Sequence, residues 1–372
     1  MNKRHSIPKQ RDDRLKPRVV GAGLVALDVI VNLSTEDEPQ YFAGGTCANV
    51  LTILSYLGWD ARPISRLKNN VSADWLINDL GQWEVDTSLI SRTDDGSTPI
   101  IIQNIREVAD GSRTHSFSIR CPCCGAYLPG YKSILGSDAE GIGNNLGHHQ
   151  VFFFDRVSRG TLNLAKSSAA RGALIVFEPS GIGEARLFRE AWSIAHVVKY
   201  SHDRLRDIAD LDLHTVRNDL LLEIETLGAS GLRYRSRLAN ARTHGWKTLE
   251  VIPTTVLKDA AGAGDWCTAG VIHKLARGGL NGFRKINKDR LSHALRFGQA
   301  VASWNCAFES ARGGMYRVSK PQFQRQIRRL LDGKTIRLQA DNLDSVPEDL
   351  RKLCPTCESA EFNGHKKTGT RA

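Results

Sequence analysis

The apolar pattern of the chain starts at residues 18–33, Arg-Val-Val-Gly-Ala-Gly-Leu-Val-Ala-Leu-Asp-Val-Ile-Val-Asn-Leu. A near-continuous apolar run broken by glycines predicts a buried strand carrying one acid, Asp28. An unpaired charge is costly away from water, so Asp28 is expected to face a polar cavity; a surface turn acid is the competing reading. After Gly44-Gly45-Thr46-Cys47-Ala48-Asn49 a helical pattern runs through Leu57 and stops at Gly58. The paired glycines leave backbone donors and the Asn49 amide free to face a ligand. Residues 98–106 and 113–120 alternate in part and flank Ala109-Asp110-Gly111, which reads as a hairpin with an Asp-Gly turn.

From residue 150 the rhythm changes to strand then helix. Strands are predicted at Val151–Phe154, Ala173–Phe177, His196–Lys199 and Leu220–Thr226, with helices at Thr161–Arg171 and Leu187–Ala195. Alternating units of this length imply a parallel sheet with helices on both faces. Ligands of such sheets bind beyond the carboxyl ends of the strands. Glu178, Lys199, Thr226 and Asp265 all fall at that edge.

The stretch Asp259-Ala260-Ala261-Gly262-Ala263-Gly264-Asp265, followed by an apolar run from Trp266 to Leu275, adds chemistry to this frame. Glycines let the backbone approach a ligand, and the run after them reads as a helix. The Gly262, Ala263 and Gly264 amides would then sit at a helix N-terminus, where unpaired donors suit a phosphate. An acid at the same spot, Asp265, can accept a proton from a substrate hydroxyl. Anion cradle and base together are what phosphoryl transfer to an alcohol requires. A glycine-rich turn with Asp265 as a first-turn helix acid fits the four residues equally well when they are taken alone.

Composition narrows the class. A 41% hydrophobic and 24% charged chain of 372 residues reads as a soluble globular protein of one large or two modest domains. No apolar run approaches the roughly 20 residues needed to cross a bilayer. Lys3, Arg4, Lys9, Arg11, Arg14, Lys16 and Arg18 make the N-terminus basic without an apolar core, unlike a secretory signal. Residues 1–17 are therefore expected to be a mobile basic arm, residues 360–372 a frayed tail, and the location cytoplasmic. The net charge of +11 suits anionic nucleotides and sugar phosphates. Arg325, Arg328 and Arg329 space their charges as one solvated helical face, and no helix-turn-helix or aromatic-basic pattern points to nucleic acid.

The cysteines carry a separate signal. Cys121-Pro-Cys-Cys124-Gly and Cys354-Pro-Thr-Cys357 are two Cys-x-x-Cys knuckles able to place four thiolates tetrahedrally around zinc. Four cysteines leave no open position for chemistry, so the expected role is structural, pinning the C-terminal segment to the region after the hairpin. Free thiols or a disulfide are the competing readings, the latter disfavoured in a reducing cytoplasm. Cys123 is the spare. Cys47, Cys267 and Cys306 lie in apolar helical runs and read as core, and His148, His149 and His202 as surface or lid polar residues.

Four blocks in order resemble the ribokinase, or PfkB, superfamily of small-molecule kinases: the glycine-rich first strand with Asp28; Gly44-Gly45 with Asn49; Thr226-Leu227-Gly228-Ala229-Ser230-Gly231; and Asp259 to Asp265. The likeness spans about residues 18–320. It implies an α/β fold, a ribokinase-like parallel sheet sandwiched by helices with a small β-sheet lid, to which the four-cysteine zinc knuckle is added. The kinase domain would cover 18–338, the lid coming from about 35–43 and 96–120, and 339–372 would be a C-terminal segment.

The resemblance further implies ATP-dependent phosphorylation of a hydroxymethyl group on a sugar or nucleoside, with Mg2+. Asp265 would be the base and Gly262, Ala263 and Gly264 the anion hole. Asp28, Gly44, Gly45 and Asn49 would hold the acceptor; Thr226, Gly228, Gly231 and Lys199 would contact the nucleotide. A homodimer through the lid is a further expectation. The chain departs from the family at Ala260 and Ala261, where threonine is common, and at Glu178-Pro179-Ser180, which replaces Asp-Pro-Asn. Ser201 and Arg204 stand where an Asn-x-x-Glu usually supports magnesium. These departures keep two alternatives open: a weak or inactive small-molecule-binding protein of the same fold, and a zinc-containing nucleic-acid-associated protein.

Overall fold

The run at 18–33 is not one strand. It breaks after Ala22 into β1 (Arg18–Ala22) and β2 (Ala26–Asn32), which belong to different sheets. Tertiary contact causes the break. The Leu24 amide donates to Asp155 Oδ1 at 2.9 Å, and a Cβ on Gly23 would lie 1.6 Å from that same oxygen. A buried carboxylate therefore turns the chain at a glycine, a relation that apolar continuity along the sequence does not reveal.

The computed structural model describes residues 16–32, 39–107, 113–205, 208, 211, 213, 218–254, 256–336 and 350–357. The basic arm (apart from residues 16 and 17), the Asp110-Gly111 turn and the tail at 360–372 lie outside these residues. So do residues 35–38 of the expected lid.

The remaining strands are β3 (Gln40–Gly44), β4 (Asp60–Lys68), β5 (Ile90–Thr93), β6 (Ile100–Glu107), β7 (Arg113–Ser118), β8 (Val151–Phe154), β9 (Leu174–Phe177), β10 (Val197–Ser201), β11 (Leu222–Thr226), β12 (Leu232–Ser236) and β13 (Lys247–Leu249). The large sheet runs β13-β12-β11-β10-β9-β8-β1-β4-β5. It is parallel from β11 to β5, with Val20 opposite Arg62 on one side and Phe152 on the other. The β12 and β13 edge is antiparallel, unlike the wholly parallel sheet expected. The connection explains it: β11 and β12 are joined by Leu227–Gly231, far too short for a parallel crossover.

The helices are α1 (Thr46–Tyr56), α2 (Val71–Gln82), α3 (Ala139–Asn145), α4 (Arg159–Ala170), α5 (Ala185–Ile194), α6 (Ala263–Leu275), α7 (Gly279–Arg284), α8 (Lys288–Asn305), α9 (Gly313–Arg317) and α10 (Lys320–Leu331). One face of the large sheet packs on α1, α6, α8 and α10 around Trp266, Trp304 and Phe323. The other packs on α4 and α5, where Phe154 stacks on Phe177 with ring centroids 4.6 Å apart. The arrangement is the α/β, ribokinase-like sandwich expected, with helices on both faces.

The small sheet runs β3-β2-β6-β7, its β6–β7 hairpin antiparallel as expected. Pairing puts Asp28 opposite Phe42 and Ile30 opposite Gln103, while Leu27 pairs with Ile100 and Val29 with Ile102. Because side chains alternate along a strand, these two sets point to opposite faces.

Candidate active site

The Asp259–Asp265 loop is held from its first residue. Buried Asp259 accepts from the Ala261 amide at 2.8 Å, the Ser310 amide at 3.0 Å and Gln103 Nε2 at 2.8 Å. It thus ties the loop to β6 of the small sheet and to the turn after α8. Gly262 caps α6 with φ +73°, and a Cβ there would stand 2.3 Å from the Ala311 carbonyl oxygen. Left-handed backbone and lack of space both demand glycine. The Ala263 amide closes a turn onto the Ala260 carbonyl at 3.2 Å, so the Gly264 and Asp265 amides lead the first helical turn.

Asp265 is buried, and its Oδ2 accepts from Asn49 Nδ2 at 2.8 Å. Desolvation raises its pKa to about 7, and the nearby Glu178 charge adds to the rise. The Asn49 hydrogen bond, Lys199 and Arg204 oppose it. The structure therefore brings together two residues that the sequence placed in separate blocks.

Of the four acceptor-side residues only Asp28 lines the void of about 10 Å³ between the small sheet and the Ser310–Arg312 turn, room for a single water. Its pKa is pushed up to about 7 by burial and held down in part by Arg312. Gly44 is fixed by Asp28: a Cβ on it would lie 1.9 Å from the Asp28 carboxylate. Gly45, at φ +85°, caps α1.

The nucleotide-side residues do not form one group. Thr226 ends β11, its hydroxyl donating to the Tyr200 carbonyl at 3.3 Å, with Gly228 (φ +57°) and Gly231 (φ +88°) in the turn behind it. Lys199 lies elsewhere, under the first turn of α6. Its Nζ donates to Glu178 Oε1 at 2.5 Å and to the Gly264 carbonyl at 2.9 Å. Glu178 Oε2 accepts from Thr268 Oγ1 at 2.5 Å, so both its oxygens are engaged. Ser201 ends β10, and exposed Arg204 follows in a short 3-10 turn.

Sequence reasoning missed Arg312, almost wholly buried. Its Nε donates to Asn49 Oδ1 at 3.1 Å, and its Nη2 to Asp79 Oδ2 at 2.7 Å and to the Ala43 carbonyl. Its Nη1 is buried without a partner. Asp79 also accepts from the Ala43 amide and the Tyr316 hydroxyl. Asp155 was missed too; burial pushes its pKa up to about 6. No periodicity marks these residues, because their partners come from distant elements.

Cys121, Cys124, Cys354 and Cys357 bring their sulfurs within 4.8 Å of one another. The Cys121–Cys357 and Cys124–Cys354 separations are 3.9 and 3.6 Å. Four thiolates about 2.3 Å from a tetrahedral zinc stand about 3.8 Å apart, whereas a disulfide needs about 2.05 Å. The donor set and spacing fit zinc. Cys123 is exposed and outside the set. His149 is a buried residue bonded to Ser168 and Gly147, and His202 pairs with Glu225.

A mostly parallel sheet under a small second sheet, with a glycine-rich helix start between them, defines a ribokinase-like α/β fold. Solved structures agree. The nucleoside kinase of Burkholderia thailandensis in complex with inosine superposes with a TM-score of 0.61 at 14% identity, covering 83% of this chain and 96% of that one. Arabidopsis thaliana ribokinase complexed with ribose and ATP gives 0.61 at 16% identity over 85% and 99%. Xylella fastidiosa fructokinase with bound ATP gives 0.60 at 19% over 79% and 93%. No curated protein sequence matches the chain. Residues 151–315 match the pfkB family carbohydrate kinase model, a segment that contains Asp265 and Arg312. The likeness to this family therefore holds, and two of the four motif blocks, Thr226–Gly231 and Asp259–Asp265, lie inside the matched segment. Among the described residues no helix is long and apolar enough to cross a membrane.

Proposed function

We propose that the protein is an ATP-dependent kinase that phosphorylates a hydroxymethyl group on a sugar or nucleoside. The observation that carries this reading is Asp265: a buried carboxylate on the first turn of α6, one oxygen held by Asn49, which in turn accepts from Arg312 at the void lined by Asp28. Oδ2 is occupied by the Asn49 amide, which leaves Oδ1 to take the acceptor's proton. A pKa near 7 suits a base that must release that proton again. The first-turn amides of α6 would stabilise the transferring phosphoryl group, a task of positioning and charge rather than covalent chemistry. Asp28 would accept hydrogen bonds from acceptor hydroxyls, and Thr226, Gly228 and Gly231 would border the nucleotide. The family match and the kinase neighbours, whose complexes hold inosine, ribose and ATP, support the same reaction class.

Mg2+ does not fit the protein groups in place. Both oxygens of Glu178 are taken by Lys199 and Thr268, Asp265 keeps only Oδ1, the oxygen proposed to take the acceptor's proton, and Arg204 puts a cation on the turn after β10. No step is assigned to the ion. The same crowding favours a second reading, binding without turnover on the same scaffold. A screen of ribose, fructose, inosine and related ribosides with ATP, read by ADP release, separates the two. Turnover lost in Asp265→Asn supports the kinase; calorimetric binding with no ADP release for any acceptor overturns it.

Zn2+ is the ion that the Cys121, Cys124, Cys354 and Cys357 set would hold, in a closed structural site. Reduced thiols of this kind suit a cytoplasmic location. Elemental analysis of the purified protein tests the assignment: one zinc per chain supports it, none overturns it.

A further inference from the structure

The small sheet has two differently used faces. Along β2 and β6, Asp28, Ile30 and Gln103 border the void at the candidate acceptor site. The alternate residues Leu27, Val29, Ile100 and Ile102 are buried on the opposite face, in one cluster with Cys121, Leu353, Cys354 and Cys357. The thiol cluster is thus not an appendage at the rim; it roofs the strands whose other side carries Asp28.

The roof has little to hold it by itself. The described part of the C-terminal segment is a 3-10 turn at Leu350–Leu353 and one helical turn ending at Cys357. A single turn is unstable in isolation, because the cost of nucleating it exceeds what so few hydrogen bonds return. Its buried contribution comes from Leu353 and two of the cysteines, which are 4%, 0% and 9% exposed. Leu128, Tyr41 and Trp75 share the cover of the four apolar strand residues, and without a bond through the sulfurs the part supplied by the 350–357 segment would have little to hold it in place.

We infer that zinc on the four cysteines clasps the 350–357 segment onto the outer face of the small sheet, so that metal occupancy sets the order of the acceptor-facing strands. The inference rests on the zinc assignment and on the acceptor role proposed for Asp28. Because the chain's own segment occupies this face, a second copy could pair through it only after the clasp opens.

The test is hydrogen exchange on the full chain, as purified, after zinc removal by a chelator, and after zinc is added back. Loss of zinc is expected to cut protection of the 27–32 and 100–105 amides by about tenfold or more, while β8 to β11 keep theirs, since local opening leaves the main core intact. Added zinc should restore it. Cys354→Ser, which removes one ligand without a chelator, should reproduce the selective loss. If zinc is bound but its removal leaves those amides unchanged, or loosens β8 to β11 equally, the clasp is wrong although the zinc assignment stands. If no zinc is present and the strands are protected, both are wrong. Neither result bears on the ADP-release test of the kinase reading.

Discussion

Asn49 Nδ2 donates to Asp265 Oδ2 at 2.8 Å across a sequence separation of 216 residues. One bond therefore joins the helix that follows the paired glycines to the helix that starts at the candidate anion hole. It engages Oδ2, so that Oδ1 is the oxygen that would meet the proposed acceptor. Asp265→Asn keeps the size of the side chain and an oxygen for Asn49 but removes the base. Turnover in the ADP-release assay should fall by about 10²–10⁴-fold, the usual share of general base catalysis. Nucleotide affinity by calorimetry should stay near the parent value. Undiminished turnover would remove Asp265 from the role of base.

A pH dependence follows from burial. Asp265 and Asp28 are raised to about 7 and Asp155 to about 6, in each case chiefly by desolvation. A base with that pKa makes kcat/KM rise with pH to a plateau, with half-maximum near pH 7. Stability moves the other way. A carboxyl that holds its proton more tightly folded than unfolded contributes fully below its unfolded pKa, about 3.8–3.9 for aspartate, and that contribution is lost as pH rises through about 7. Asp265→Asn cannot ionise, so its melting temperature should gain on the parent's between pH 4 and 8. A constant difference across that range would contradict the raised pKa.

The strand and helix rhythm beyond residue 150 was legible because each element is either buried on both faces or amphipathic; Val151–Phe154 was placed to the residue. The site motifs were legible for a different reason. Gly45 and Gly262 occupy left-handed backbone that other residues rarely adopt, so glycine had to appear there. What stayed hidden depends on residues meeting from far apart. Asp155 breaks the 18–33 run from 131 positions away, and Arg312 reaches Asn49 across 263. Lys199 fell at the right sheet edge, but only packing shows that it pairs with Glu178 under α6.

Two glycine replacements separate backbone strain from crowding. Gly228 has φ +57° with nothing within 4 Å of an added methyl, whereas Gly262 has φ +73° and the Ala311 oxygen at 2.3 Å. Gly228→Ala should cost about 1–2 kcal/mol, the left-handed penalty alone. Gly262→Ala should cost more, because the Ala311 turn must move as well. Denaturant titration of both variants checks the order. A Gly262→Ala protein as stable as Gly228→Ala would mean that the loop is looser than its contacts imply.

The buried pair of Arg312 and Asp79 makes the last prediction. Their side chains are 1% and 12% exposed. Removing one partner of such a pair leaves a charge in low dielectric, which typically costs about 3–5 kcal/mol. Arg312→Met should therefore destabilise strongly. It should also weaken turnover, because Asn49 Oδ1 loses its donor and the amide that holds Asp265 becomes free to rotate. Arg312→Met combined with Asp79→Asn removes both charges, so the double variant should be less destabilised than the sum of the singles. The Asn49 constraint, however, is still missing, and turnover should not recover with stability. Denaturant midpoints and ADP release measured on the parent, the two singles and the double give both cycles. If stability and turnover return together in the double variant, Arg312 acts only through the fold. If they part, the arginine sets the position of Asn49.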